Sequence, residues 1–292
     1  MHTVVQALIL GVLTGGVYAL MASGQTLIFG IMKVVNLAQG ALVIAGAYLS
    51  YSLFTSFGVD PFLSILITTP VLFGLGVGLQ WLFLRPLREA DRSQLSLLVT
   101  FAVALGIEGV LSVTYKTTYR TIQTGYADSS FTVAGYQISA VRLYAFALSV
   151  AMLGLLYVLL ERTRFGRAIR ATVQNPEAAR LLGVDSRTVA AVGFGIGAAT
   201  AAAAGAVYGI LYSFNSGSHY DLISRLLSIV ILGGLGSIGG SILAALAMGV
   251  VSALVAALGP PIWSDFSFFA VLLAVLLIRP RGLFGASLRG AL

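Results

Sequence analysis

LGGLGSIGGS, residues 232–241, places five glycines within eight residues (Gly233, Gly234, Gly236, Gly239, Gly240) inside a long apolar stretch. Two nucleotide-binding patterns overlap it. Gly234, Gly236 and Gly239 have the spacing of the dinucleotide fingerprint G-x-G-x-x-G, and Gly234 and Gly239 with Ser241 trace a phosphate loop, G-x-x-x-x-G-K-[ST]. Gly240 stands where the lysine belongs, so nothing would neutralise phosphate charge. Between Asp221 and Asp265 there is no acid, so the ribose-binding carboxylate expected about 20 residues on is missing as well. The run is therefore not a nucleotide loop. Small residues also let membrane helices approach closely, as around Gly193, Gly197 and Gly205. The higher density at 232–241 is enough to stop a helix.

Composition sets the medium. Of 292 residues, 58% are hydrophobic and 9% charged, with a mean hydropathy of +0.98. A soluble domain carries about 25% charged residues, so this chain is an all-α polytopic membrane protein, read as one transmembrane domain over residues 1–292. With no cysteine it has no disulfide framework or thiolate nucleophile, and His2 and His219 lie too far apart in sequence to suggest a metal site. The net charge of +7 is dispersed between apolar segments, which argues for lipid and against nucleic acid. The N-terminus lacks the basic n-region of a signal peptide, so its first apolar stretch is read as a retained span.

At about 20 apolar residues per crossing, about eight membrane segments emerge, near 4–28, 37–57, 62–84, 95–115, 141–160, 189–212, 222–258 and 263–278. Lys and Arg stay on the cytoplasmic side. Six arginines in 162–187 put that loop inside, and counting back puts Lys33, Arg85, Arg88 and Arg92 inside and the N-terminus outside. Counting forward, Arg279, Arg281 and Arg289 put the C-terminal tail inside, so that 13 of the 17 basic residues face the cytoplasm. Lys116, Arg120, Arg142 and Arg225 fall outside. This parity makes the segment near 222–258 begin and end on the outer side. Residues 222–232 form about 17 Å of helix against a hydrocarbon core of about 30 Å. The expectation is a re-entrant or discontinuous helix broken at 233–240, the kind of break that marks a substrate path near mid-bilayer.

Three further features bear on function. FGIMKVVNLAQG (29–40) interrupts the first two segments with Lys33, Asn36 and Gln39; it is either a short loop with Asn36 as helix cap or part of a path. Glu108 is the one carboxylate well inside a span, either functional or paired between helices. In RTRFGRAIRATVQNPEAARLLGVDSR (162–187), Asn175 can cap a helix, Pro176 suits its first position and Gly183 can end it. A capped helix of two turns among arginines is a docking element.

EAARLLG (177–183) resembles the E-A-A-x-x-x-G coupling signature of ABC importer permeases. GGVYALMASGQTLIFGIMKVVNLAQGALVIAGAYLSY (15–51), FGRAIRATVQNPEAARLLGV (165–184), LSIVILGGLGSIGGSILAALAMGVV (227–251) and RPRGLFG (279–285) extend the resemblance, over nearly the whole chain, to the branched-chain amino acid permeases of that superfamily, and to the smaller of its two related subunits. Where the family often has Asn-Phe-Ala-His-Gly, this chain has Asn36, Leu37, Ala38, Gln39 and Gly40. The resemblance implies a coupling loop at about 161–188, with Arg167, Arg170, Glu177, Ala178, Ala179 and Gly183 meeting separate ATPase subunits that bind ATP and Mg; this chain would bind no cofactor. It implies a second homologous permease and a solute-binding protein as partners. The outer loop 115–139 and His219 with Asp221 would face the binding protein. Asn36, Gln39, Gly40, Glu108, Gly234, Gly236, Ser237 and Gly239 are the path candidates. The implied setting is a bacterial or archaeal plasma (inner) membrane. An ion-coupled carrier or channel with Glu108 as proton site, or a related permease for urea or short amides, is the alternative. No cluster with catalytic spacing suggests an enzyme.

Overall fold

The computed structural model describes residues 2–87, 92–127, 129–133, 135–260, 262–280 and 282–284. Arg88, Arg281 and Arg289, used above for orientation, lie outside the described residues, as does Gly285 of the tail motif. The helices are α1 (His2–Met32), α2 (Gln39–Phe57), α3 (Pro61–Leu79), α4 (Arg92–Tyr115), α5 (Ala140–Arg162), α6 (Arg164–Gln174), α7 (Pro176–Leu181), α8 (Ser186–Leu211), α9 (His219–Gly233), α10 (Ile238–Leu258) and α11 (Ile262–Ile278). Two strands, β1 (Ser130–Val133) and β2 (Tyr136–Ser139), form an antiparallel hairpin between α4 and α5. Among the described residues seven helices are long and apolar enough to cross a membrane: α1 to α5, α8 and α10, with α3 prolonged to Leu84 by a π-turn. α11 adds a shorter, largely apolar helix of 17 residues. α9 has 15 residues, about 22 Å at 1.5 Å per residue, and does not cross.

The break in the segment near 222–258 falls where the glycines do, between α9 and α10. α9 starts at His219, earlier than the apolar run suggests; a 3-10 turn over Ser216–Ser218, closed by a capping box between Asn215 and Ser218, leads straight into it.

α8 is the core. Its apolar stretch is 83% buried, against 11% for α4, so the bundle is built around an Ala/Gly helix with α4 at its rim. Small side chains allow this closeness. A Cβ added at Gly205 of α8 would overlap the Val43 carbonyl of α2, so only glycine fits that crossing. Hydroxyl pairs tie helices together: the buried Thr26 to Ser241 at 2.7 Å and Ser50 to Ser64 at 2.7 Å, and the half-buried Ser252 to Ser264 at 2.6 Å.

The two ends of the bundle differ. At one, His2 stacks on Tyr136 at 4.5 Å, joining the start of α1 to the β-hairpin. At the other, Lys33, Arg85, Arg180 and Arg187 line one cavity of about 820 Å³. Residues assigned to one side by parity thus gather at one end. Arg225 was counted on the outer side by parity. It lies within α9 and donates to the Tyr18 hydroxyl at 2.9 Å and the Asp265 carboxylate at 2.6 Å. Tyr18 is 16 residues along α1 from His2, about 24 Å of helix, so this guanidinium reaches the bundle interior, where a charge needs such partners.

Candidate functional site

The glycine run makes a tight turn between two antiparallel helices. Gly234 (φ 94°) and Gly236 (φ 87°) occupy the left-handed region, which a side chain would strain. Gly233 and Gly240 meet backbone to backbone, since a Cβ at Gly240 would overlap the Gly233 carbonyl. Ser237 caps α10, accepting from the Gly240 N–H at 3.2 Å. The last carbonyls of α9 have no partner within the helix. Leu232 O is satisfied by the Leu283 N–H at 2.8 Å, so the tail packs under the turn. Gly239 is exposed, with open space around it.

The turn lies level with the last residues of α1. Gly236 sits opposite Gly30, two residues before α1 ends. Gly236 and Ile238 share a cavity of about 270 Å³ with Ile169, Arg170 and Val173 of α6. The broken helix and the arginine-rich loop therefore touch the same space.

The second interruption is the one that penetrates the bundle. Lys33, at φ 55°, ends α1, and residues 33–38 turn back so that α2 begins beside Gly24 and Gly197. Non-helical backbone at such depth must find partners. Asn36 Oδ1 accepts from Ala38 N at 3.1 Å, Leu37 N donates to Thr100 Oγ1 at 3.2 Å, and Gln39 Nε2 donates to Gly197 O at 3.1 Å. Asn36 and Gln39 are fully buried, and their side chains hold this fold-back together instead of lining an open space. Gly40 serves a crossing: a Cβ there would come within 2.6 Å of His219 O on α9.

That crossing brings together residues that sequence reasoning had separated. Glu108 Oε2 accepts from Tyr220 OH at 2.9 Å and lies 3.9 Å from His219 Nε2. His219, expected with Asp221 to face a binding protein, is 2% exposed and packs against α2 and Glu108 of α4. The available signal was the Asn215–Ser218 pair, which closes the 3-10 turn leading into α9.

In the arginine-rich loop, one expected docking helix becomes two. α6 is capped by Thr163, whose Oγ1 accepts from Gly166 N at 3.0 Å. It carries Arg167, exposed, and Arg170, which forms a 2.5 Å ion pair with Glu161. α7 is capped by Asn175, which accepts from Glu177 N at 3.1 Å and Ala178 N at 3.0 Å, with Pro176 at its first position. At its far end Gly183 (φ 83°) closes a Schellman turn through Gly183 N to Arg180 O and Val184 N to Ala179 O, both 3.0 Å. Ala179 faces inward, while Glu177 and Ala178 face out. Leu181 and Leu182 are 89% and 82% exposed, an apolar tip that the sequence reading did not single out. Asp185 starts α8. Bonds from the Thr188 hydroxyl and the Arg187 N–H hold its carboxyl below the usual carboxylate range.

The family model described as "Branched-chain amino acid transport system / permease component" matches residues 7–276. The chain belongs to this family. This permease is 29% identical to the high-affinity branched-chain amino acid transport system permease protein BraD of Pseudomonas aeruginosa, over 96% of this chain and 95% of that one. It is 28% identical to the corresponding protein LivH of Escherichia coli K12, over 94% and 93%. Among solved structures, PsaBC from Streptococcus pneumoniae in complex with Fab aligns with a TM-score of 0.44 at 11% identity, over 96% of this chain and 92% of that one. The permease is thus a polytopic all-α membrane protein with a transport role.

Proposed function

We propose that this chain is one permease subunit of an ATP-driven importer for branched-chain or related hydrophobic amino acids. Solute arrives from a binding protein at the hairpin end, a second homologous permease completes the path, and separate ATPase subunits holding ATP and Mg dock at the arginine-rich end. The membrane is the plasma membrane of a bacterium or archaeon, with the N-terminus outside and the tail cytoplasmic. The observation that carries the reading is α7, a helix of under two turns fixed at both ends and presenting Glu177, Ala178, Leu181 and Leu182 outward. So short a helix is not stable by its own hydrogen bonds, and its double capping suits it to transmit force. Its neighbour α6 shares the cavity at the glycine turn, which provides a mechanical route from ATPase to broken helix. Glu177→Lys and Gly183→Pro should abolish uptake and transport-coupled ATP hydrolysis in the assembled complex while the protein still inserts; normal uptake by either variant would overturn the assignment.

The second reading is an ion-coupled carrier, favoured by the Glu108 and His219 pair inside the membrane. Gradient-driven uptake by this chain alone in liposomes, without ATP, would establish it. A permease for urea or short amides would show itself in the uptake profile of the assembled complex.

A further inference from the structure

Around Glu108 the hydrogen-bonding groups do not balance. His219 Nδ1 lies 3.0 Å from Ser216 O. A carbonyl only accepts, so Nδ1 carries the proton and Nε2 of the neutral ring presents a bare lone pair. That Nε2 is buried without a hydrogen-bond partner. It looks across 3.9 Å at Glu108 Oε2, another acceptor, already used by Tyr220 OH. Glu108 Oε1 faces Gly217, where even an added Cβ would stop 3.9 Å away. Acceptors thus converge on one point with a single neutral donor among them. A buried lone pair facing a carboxylate in the membrane is costly unless a donor arrives. The point is open on the side of Glu108 and Tyr220, whose side chains are 25% and 43% exposed, while His219 Nε2 is covered in this structure. Leu105, on the same helix face three residues earlier, is exposed beside it and offers an apolar surface.

We propose that Glu108, His219 Nε2 and Tyr220 form a recognition point for the α-ammonium group of an amino acid passing through the bundle. An ammonium has three N–H donors, no acceptor and a positive charge, which is the complement of this cluster. Its N–H groups reach Glu108 and His219 Nε2 together, and a branched aliphatic side chain rests against Leu105. The assignment rests on the amino-acid importer reading and deepens it: a neutral amide, such as urea, would satisfy the acceptors but not the charge.

The test uses the full importer in proteoliposomes, with leucine as probe. Glu108→Gln, which keeps shape and loses charge, should cut the maximal uptake rate about tenfold or more, the scale of a hydrogen bond to a charged group. Tyr220→Phe should have a smaller effect. A second measurement does not depend on turnover. The chain has no cysteine, and Gly217→Cys introduces a thiol beside Glu108 where a Cβ meets only ordinary contacts. A cationic methanethiosulfonate should label it about tenfold faster than an anionic one, and isoamylamine, an ammonium without a carboxylate, should slow that labelling. Adding Glu108→Gln should erase the preference. Labelling without charge preference, as an internal imidazolium–carboxylate pair would give, overturns the site. So does unchanged leucine uptake by Glu108→Gln, which leaves the importer reading standing. Cation-selective labelling in a complex that carries no amino acid overturns the assignment to an α-ammonium along with the importer reading.

Discussion

Gly239 and Gly240 are adjacent and chemically identical, yet the structure asks different things of them. A methyl group at 240 would overlap the Gly233 carbonyl, whereas at 239 it meets open space. Gly240→Ala should therefore destabilise the protein by about 1–3 kcal/mol, the usual range for overpacking. Gly239→Ala should be neutral or stabilising by up to about 1 kcal/mol, since alanine is the better helix former. Thermal unfolding of both variants in detergent checks this; equal shifts would mean that the close contact of α9 and α10 is absent. At this scale the sequence was informative about type and less so about contact. Asn175, Pro176 and Gly183 could be assigned to a capped helix because capping is local chemistry within ten residues. The meeting of Glu108 with His219 spans 111 positions and depends on where α9 enters the bundle, which no local pattern states.

Among the elements, α7 depends on its caps more than any other. Asn175→Ala removes the acceptor for two N–H groups and should cost about 1 kcal/mol, a large share for six residues. The expected outcome is a partial loss of binding-protein-stimulated ATP hydrolysis, recovered in Asn175→Asp, which keeps the acceptor. Absence of any loss would show that the docked ATPase alone holds the helix. The glycine break was legible as a break because density of glycine and topological parity both required it. Its depth was not, because depth is set by the pairing of Gly236 with Gly30 and by α9 starting at His219. The fold-back at 33–38 was legible only as an interruption. Asn36 and, at the start of α2, Gln39 are fully buried and bond each other, an outcome that composition does not distinguish from lining a path.

For the whole molecule, the cavity shared by α6 and the glycine turn joins the two ends of the proposed mechanism. A cysteine at Ser237, half-buried at that turn, should react with a water-soluble thiol reagent at a rate that changes between the nucleotide-free and ATP-bound states of the complete importer. A constant rate would leave the turn with a packing role alone. The overall class, the number of segments and the gathering of basic residues at one end followed from hydropathy and charge, which are sums over the chain. The central position of α8 followed less directly, since its Ala/Gly composition indicates close packing without naming the neighbours.

The tail that packs beneath the glycine turn has a bearing on biosynthesis. Leu283 supplies the N–H that satisfies the Leu232 carbonyl, and some fifty residues are translated between the two. While the chain emerges, α9 must wait with an open end until α10 and α11 have entered the bilayer. The glycine turn is completed late, as a clasp fastened by a segment that leaves the ribosome only after α10 and α11.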